Sequence, residues 1–328
     1  MQAMQSLWRR GAPGGRLLRR SSVAAEIPKK DFSKHEPLAL DAWIKEHGPH
    51  LKPPVANRLL YGSDSDLKVM AVGGPNARSD YHVQTGEELF LQLQGELTLK
   101  IIEQGRKRDV VVGAGEAFLL PAHVPHSPQR SAGSIGLVFE RSHTEDEVDG
   151  LFWLTEDSPT KFNYTRNVEY EEYFHCTDLG SQLKPIIERY EAWKGQWKPG
   201  EQRGSQRVDF PPIDIDPEVR CAPPTDVAEI FLELERSRDK SRTKALQNQV
   251  DEFIAEAHLG PKHLGSHKGA PFDIFVWQKT GSSQLSFLDT HAQHMLGPGD
   301  VMLIHKGRPY DCLLATDASM VSVANSFT

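Results

Sequence analysis

Cysteine is scarce in this chain. Cys176, Cys221 and Cys312 are the three present, far apart and with no Cys-x-x-Cys pair. That argues against a disulfide framework and fits a reducing compartment. Long apolar runs are missing too: none approaches the roughly 18 residues of a membrane-spanning helix. An excess of positive charge is also lacking. The net charge is −7 at pH 7, which argues against general nucleic-acid binding. Acidic residues are absent before Glu26, where Arg9, Arg10, Arg16, Arg19 and Arg20 lie among Leu7, Trp8, Leu17, Leu18 and Ser21-Ser22. Residues 1–25 thus have the composition of an organelle transit peptide; a basic tail or a misassigned start codon is an equal alternative. Residues 1–30 are therefore set apart from the fold.

The remainder is ordinary in bulk. The 328 residues, 38% hydrophobic and 25% charged, suit a soluble globular protein of two domains or one large one. A short helix is expected at Asp41–Lys45, and Pro53-Pro54 stops regular structure soon after. Short apolar runs then follow at 68–72, 88–93, 97–102, 109–112, 117–120 and 135–139, separated by Gly, Pro and Asn. Many short strands with turns between them predict an antiparallel sandwich or barrel. Leu183, Ile186, Ile187 and Tyr190 share helical spacing within 177–193. Residues 195–224, rich in Pro, Gly and charge, read as a linker, and 225–257 as a charged helical stretch.

The final third echoes the first half. Val276–Gly281 repeats Phe90–Gly95, and Gly297–Ile304 repeats Gly113–Leu120. The same offsets put Tyr310 at the place of His126 and Ile274 at the place of Glu88. The second copy is expected to keep the fold and lose any metal.

A metal is suggested by three residues. His82 and Glu88 lie six apart across Thr85-Gly86-Glu87, which reads as a turn with Gly86 free to take positive φ. His126 follows Pro125 and precedes Pro128 on a stiff segment. Two imidazoles and one carboxylate hold a divalent ion and leave coordination sites open, which means chemistry rather than a structural ion. Gln92 shares the face of Glu88 by strand alternation. Arg130 lies two pleats beyond His126 and suits capture of a substrate carboxylate. Glu140 ends the next apolar run and suits a base or hydrogen-bond acceptor. Arg78 places positive charge four residues before His82. His123, His143, His175, His258, His263, His291 and His294 read as structural or surface groups, with His123 near enough to support a ligand. Cys176 reads as an ordinary thiol rather than a nucleophile.

These segments resemble the two cupin motifs. Gly74, His82, Glu88 and Gly95 match the first, with Gln84 where a second histidine is common. Gly115, Pro121 and His126 match the second, with His123 at a usual glycine and Arg130 at a usual asparagine. With Gly73–Asn76, Asp80–His82, Phe118–Ala122, Val124–Arg130 and Cys176–Leu183, residues 40–190 closely resemble the 3-hydroxyanthranilate 3,4-dioxygenase family. The resemblance is weak over 225–328.

The resemblance implies a mostly β bicupin: two antiparallel jelly-roll barrels with a few short helices, the second degenerate. It implies a catalytic domain over 31–194, a linker over 195–224 and a metal-free domain over 225–328. Lack of a Cys-x-x-Cys matches the animal-type, monomeric form. Fe(2+), O2 and 3-hydroxyanthranilate are implied, within the kynurenine route to quinolinate and NAD. The family assigns His82, Glu88 and His126 to the metal, Glu88, Arg130 and Glu140 to substrate, and Arg78 to dioxygen, with Glu140 and Arg78 catalytic. It is cytoplasmic, whereas the leader points to mitochondria. The alternatives are another metal-dependent cupin enzyme, a non-enzymatic ligand-binding bicupin, and a regulatory protein working through its C-terminal half.

Overall fold

The computed structural model describes residues 36–326, apart from 53–55, 63–64, 156–160, 178, 199–200, 202, 216–217 and 248–251. The basic leader lies outside the described residues.

Side chains alternate along an extended strand, so each strand offers two faces. In Glu88–Gln94, residues 88–92 are all buried. One face points into the N-terminal sandwich, where Phe90 joins Leu97, Leu99, Ile101, Phe118, Leu120 and Val138. Leu89 and Leu91 point the other way and join Leu137 and Phe139 against Phe275, Trp277, Val301, Val321 and Val323 of the C-terminal half. Phe139 and Phe275 meet edge to face with centroids 5.1 Å apart. A strand covered on both sides needs apolar residues on both, which is why this one reads as a continuous run.

Four sheets result. One N-terminal sheet runs Thr225–Asp226, Glu116–Leu120, Glu88–Gln94, Ile135–Arg141, Leu67–Gly73 and Asn57–Tyr61 in spatial order. The sheet facing it runs Val168–Phe174, Asp149–Leu154, Asp80–Val83, His126–Arg130, Leu97–Glu103 and Arg106–Val112. The C-terminal half repeats the plan with sheets of six and four strands. This is the expected mostly β, two-cupin architecture. Its halves are double-sheet jelly rolls in which each sheet is a separate hydrogen-bonded unit. The halves also exchange short strands: Leu38–Ala39 pairs with Val301 and Asp300, and Thr225–Asp226 pairs with Ala117 and Glu116.

The C-terminal interior is filled. Val276, Leu285, Phe287, Met302, Ile304, Tyr310, Cys312 and Met320 pack into one apolar core, with Ile274 against it. Tyr310, which stands where the first copy has His126, is therefore a core residue, and Ile274, at the place of Glu88, is partly buried against that core.

All six expected strands form. The helical stretch over 225–257 is corrected. The helix spans Val227–Arg236, its first turn capped by Asp226, whose carboxylate accepts from the Ala228 N–H at 2.7 Å. Phe253–Leu259 is instead a strand paired with Ser319–Asn325. Its Phe, Ile and Ala residues alternate in burial, and cross-strand packing overrides the helix propensity of the Glu and Ala present. The helix Leu179–Lys194 buries Ile186 and Tyr190 against Leu151, Trp153 and Tyr170.

Candidate metal centre

His82 and His126 are direct partners where Asp80–Val83 pairs with His126–Arg130. Glu88 comes from the facing sheet. His82 Nδ1 lies 3.3 Å from His126 Nε2. Glu88 Oε1 lies 2.9 Å from His126 Nε2 and 3.9 Å from His82 Nδ1. Relative exposures are 2%, 2% and 4% for His82, His126 and Glu88, so water does not screen this cluster.

The outer nitrogens decide which atoms face inward. His82 Nε2 is 2.9 Å from Asp149 Oδ2, so its proton is donated there and Nδ1 carries the lone pair. His126 Nδ1 is 3.1 Å from the Val124 carbonyl, so its proton is donated there and Nε2 carries the lone pair. Glu88 Oε1 is buried without a hydrogen-bond partner. Two lone pairs and a carboxylate oxygen thus converge within 4.8 Å of one another. Without a cation these groups repel, and a divalent ion satisfies all three, so the donor set fits a metal. It is the one such convergence of His, Cys, Asp and Glu side chains among the described residues.

Arg130 is buried, and its Nη1 donates to Gln92 Oε1 at 3.2 Å. Its Nε has no partner, a buried donor available to an anion. Burial lowers the guanidinium to about 10, against the pull of Glu88, so it stays charged at neutral pH. Gln92 therefore does reach the cavity side, as a support for Arg130. Glu140 is buried, and its carboxyl is raised well above the ordinary value by burial first, then by the charges of Glu88 and Asp149. Arg78 is tied to Asp80, donating from Nε at 3.1 Å to a buried carboxylate.

Two expectations need correction. Gly86 does not adopt positive φ. Its surroundings are not tight either: an added Cβ would lie 3.4 Å from Glu252 Oε2 and 3.5 Å from Arg141 Nε, ordinary contact distances. His123 does not support a ligand, because its Nδ1 contacts the Asp214 carbonyl at 2.7 Å. Its φ of 64° explains why glycine is usual at this place in the motif.

Three residues near the centre went unread as functional. Asp149 contacts His82 and lies 2.8 Å from His143 Nε2, itself a buried ring rather than a surface one. The imidazoles of His82 and His143 outweigh burial and hold the Asp149 carboxyl far below the usual range. Cys176 also borders Asp149 and Glu140. Burial, followed by those charges, pushes its thiol up, so it is protonated and no nucleophile. A lone acid at a strand start and two isolated residues carry no local signal.

The sequence model of the 3-hydroxyanthranilic acid dioxygenase family matches residues 32–191. The chain is 38% identical over 275 residues to 3-hydroxyanthranilate 3,4-dioxygenase of Rattus norvegicus, covering 83% of this chain and 90% of that protein. It is 37% identical over 293 residues to the Homo sapiens enzyme of the same name, covering 89% and 95%. Among solved structures, salicylate 1,2-dioxygenase from Pseudaminobacter salicylatoxidans superposes with a TM-score of 0.52 at 9% identity, covering 92% and 87%; this bears on the fold alone. Identity of this level, sustained across both halves, shows that the chain belongs to the 3-hydroxyanthranilic acid dioxygenase family.

Proposed function

We propose that this chain is an Fe(II)-dependent ring-opening dioxygenase acting on 3-hydroxyanthranilate. Substrate and O2 give 2-amino-3-carboxymuconate semialdehyde. The ring opens between C3 and C4, and both oxygen atoms enter the product. The convergence of His82, Glu88 and His126 beside a buried arginine carries this reading.

An iron held by His82, Glu88 and His126 would supply open sites for substrate and O2 and a path for electrons between them. Arg130 binds the substrate carboxylate and sets the rotation of the ring, with Gln92 holding the guanidinium in place. Glu88 borders the substrate as well as the metal. Glu140 hydrogen-bonds the hydroxyl and amino edge and manages the proton released there; its raised pKa lets it hold that proton in a buried setting. Arg78, steadied by Asp80, presents positive charge to dioxygen. The reaction fits the kynurenine route to quinolinate and NAD, with residues 31–194 catalytic and 225–328 metal-free. The chain acts as a monomer, in the cytoplasm by family or in mitochondria if the leader targets it. No helix among the described residues is long and apolar enough to cross a membrane.

The test is oxygen uptake by the full chain, reconstituted anaerobically with Fe(II), on adding 3-hydroxyanthranilate. The expected result is one O2 per substrate, formation of the semialdehyde and no uptake by His82→Ala. Tightly bound iron with no uptake would overturn the substrate assignment.

A further inference from the structure

Among the described residues of the C-terminal half no three His, Cys, Asp or Glu side chains converge, yet one side chain of that half grips the turn that leads to Glu88. Glu252 precedes the strand Phe253–Leu259 and is buried. Its Oε2 accepts from the backbone N–H of Glu87 at 2.7 Å. Its own N–H donates to Glu87 Oε2 at 3.0 Å, so the two residues clasp each other reciprocally. Its Oε1 accepts from Arg141 Nε at 2.9 Å. Glu87 immediately precedes Glu88, and Arg141 immediately follows Glu140. One carboxylate of the second half thus contacts the chain beside both site carboxylates.

The grip extends around the turn. Arg141 Nη1 donates to Glu147 Oε2 at 2.6 Å, and Thr85 Oγ1 donates to Glu147 Oε1 at 2.9 Å. Gly86 lies beside Glu252 and Arg141, where an added Cβ would meet Glu252 Oε2 at 3.4 Å and Arg141 Nε at 3.5 Å, ordinary contact distances. The far end of Glu252 is anchored too: its carbonyl accepts from Ser326 N at 2.6 Å and Ser326 Oγ at 3.0 Å. A buried, charge-assisted network is rigid when every member is satisfied. Here it joins the C-terminal half to the three residues between Gln84 and Glu88.

We infer that Glu252 is a positioning residue for the metal centre, through which the metal-free half sets the place of the Glu88 carboxylate. The inference rests on the proposed metal site and names a function for the degenerate half. Displacement of the turn moves Glu88 relative to His82 and His126, which sit on the opposite sheet, and small misplacements of such groups are costly.

The experiment compares Glu252→Ala, Glu252→Gln and Val301→Ala in the full chain. Val301 is a buried contact between the halves away from the turn and serves as the control for lost stability. Metal affinity is read with Co(II) and Fe(II) by chelator competition, alongside the Co(II) absorption spectrum, thermal unfolding, and kcat and KM. Glu252→Ala is expected to weaken metal binding about 10-fold or more. It should also alter the Co(II) spectrum and lower kcat more than it raises KM. Glu252→Gln keeps an acceptor for the Glu87 amide and should restore most of the affinity. Val301→Ala should lower the unfolding temperature alone. Glu252→Ala with unaltered metal affinity and spectrum, and only a lower unfolding temperature, would overturn the inference. If Glu252→Ala does not fold, Glu252→Asp, which keeps the charge but draws the carboxylate back from the Glu87 N–H and Arg141 by one methylene, is read in its place, and unaltered metal affinity and spectrum there overturn the inference. Failure of the unaltered chain to turn over 3-hydroxyanthranilate would sink the substrate reading alone, since the metal arm needs no substrate.

Discussion

Asp149 determines which nitrogen of His82 is free, because it accepts the proton on the other one. An imidazole without such a partner can present either tautomer and can rotate. Asp149→Ala is therefore predicted to weaken metal binding about 10- to 100-fold while the fold is kept. Chelator competition would show it, and unchanged affinity would mean that packing alone orients His82. Arg130 makes the opposite prediction. Its guanidinium has no metal role, so Arg130→Ala should retain iron and lose roughly 2–5 kcal/mol of substrate binding. Lysine should rescue little, since it lacks the planar fork. Near-normal turnover of Arg130→Ala at low substrate would refute the assignment.

At the scale of elements, the strand Ile135–Arg141 carries Glu140 and backs the Gln92–Arg130 pair, the groups proposed for substrate. Glu140, Val138 and Gly136 share its inner face, and Gly136 is directly opposite Gln92. A Cβ at Gly136 would come within 2.7 Å of Gln92 Oε1 and 3.2 Å of Arg130 Nη1. Gly136→Ala should displace that pair, raise KM and leave metal content unchanged; steady-state kinetics with metal analysis would check it. An unaltered KM would mean that the pair can shift without cost. This strand was legible in sequence, as were five others, because apolar runs bounded by turn residues are local features. The strands Asp149–Leu154 and Val168–Phe174 were not. Asp149–Leu154 mixes Asp, Gly and Trp, and Val168–Phe174 carries three glutamates whose partners, such as Tyr164, Tyr190 and Arg189, lie elsewhere in the fold. The segment Phe253–Leu259 reads as helix in sequence because its longer pairing partner, Ser319–Asn325, lies 60 to 72 residues away.

Across the whole molecule, Asp273 ties one half to the other. It accepts from Ser65 Oγ and the Asp66 N–H of the N-terminal half, each at 2.9 Å, and from the Lys306 N–H of its own half at 2.9 Å. Burial pushes its carboxyl up, but His305 and these donors outweigh that and lower it to about 2. A carboxyl depressed in the folded state stabilises the fold above its unfolded pKa, and that contribution is lost as pH falls through the folded value. The stability difference between the unaltered chain and Asp273→Asn should therefore be constant near neutrality. It should shrink from about pH 4 toward pH 2. Urea unfolding across that range would test it, and a difference independent of pH would mean that the charge has no part in the tie.

The sequence by itself determined the donor types and their order. His82, Glu88 and His126 sit at strand ends set by nearby turns, and the substitutions Tyr310 and Ile274 can be read from the repeat. Tertiary structure alone decided which imidazole nitrogens face the metal, which acid holds His82, and that Glu252 clasps the ligand turn. Those contacts join residues 67 positions apart for His82 and Asp149, and 165 apart for Glu87 and Glu252. Pairings at such separations follow from the packing of whole sheets, and no local pattern records them.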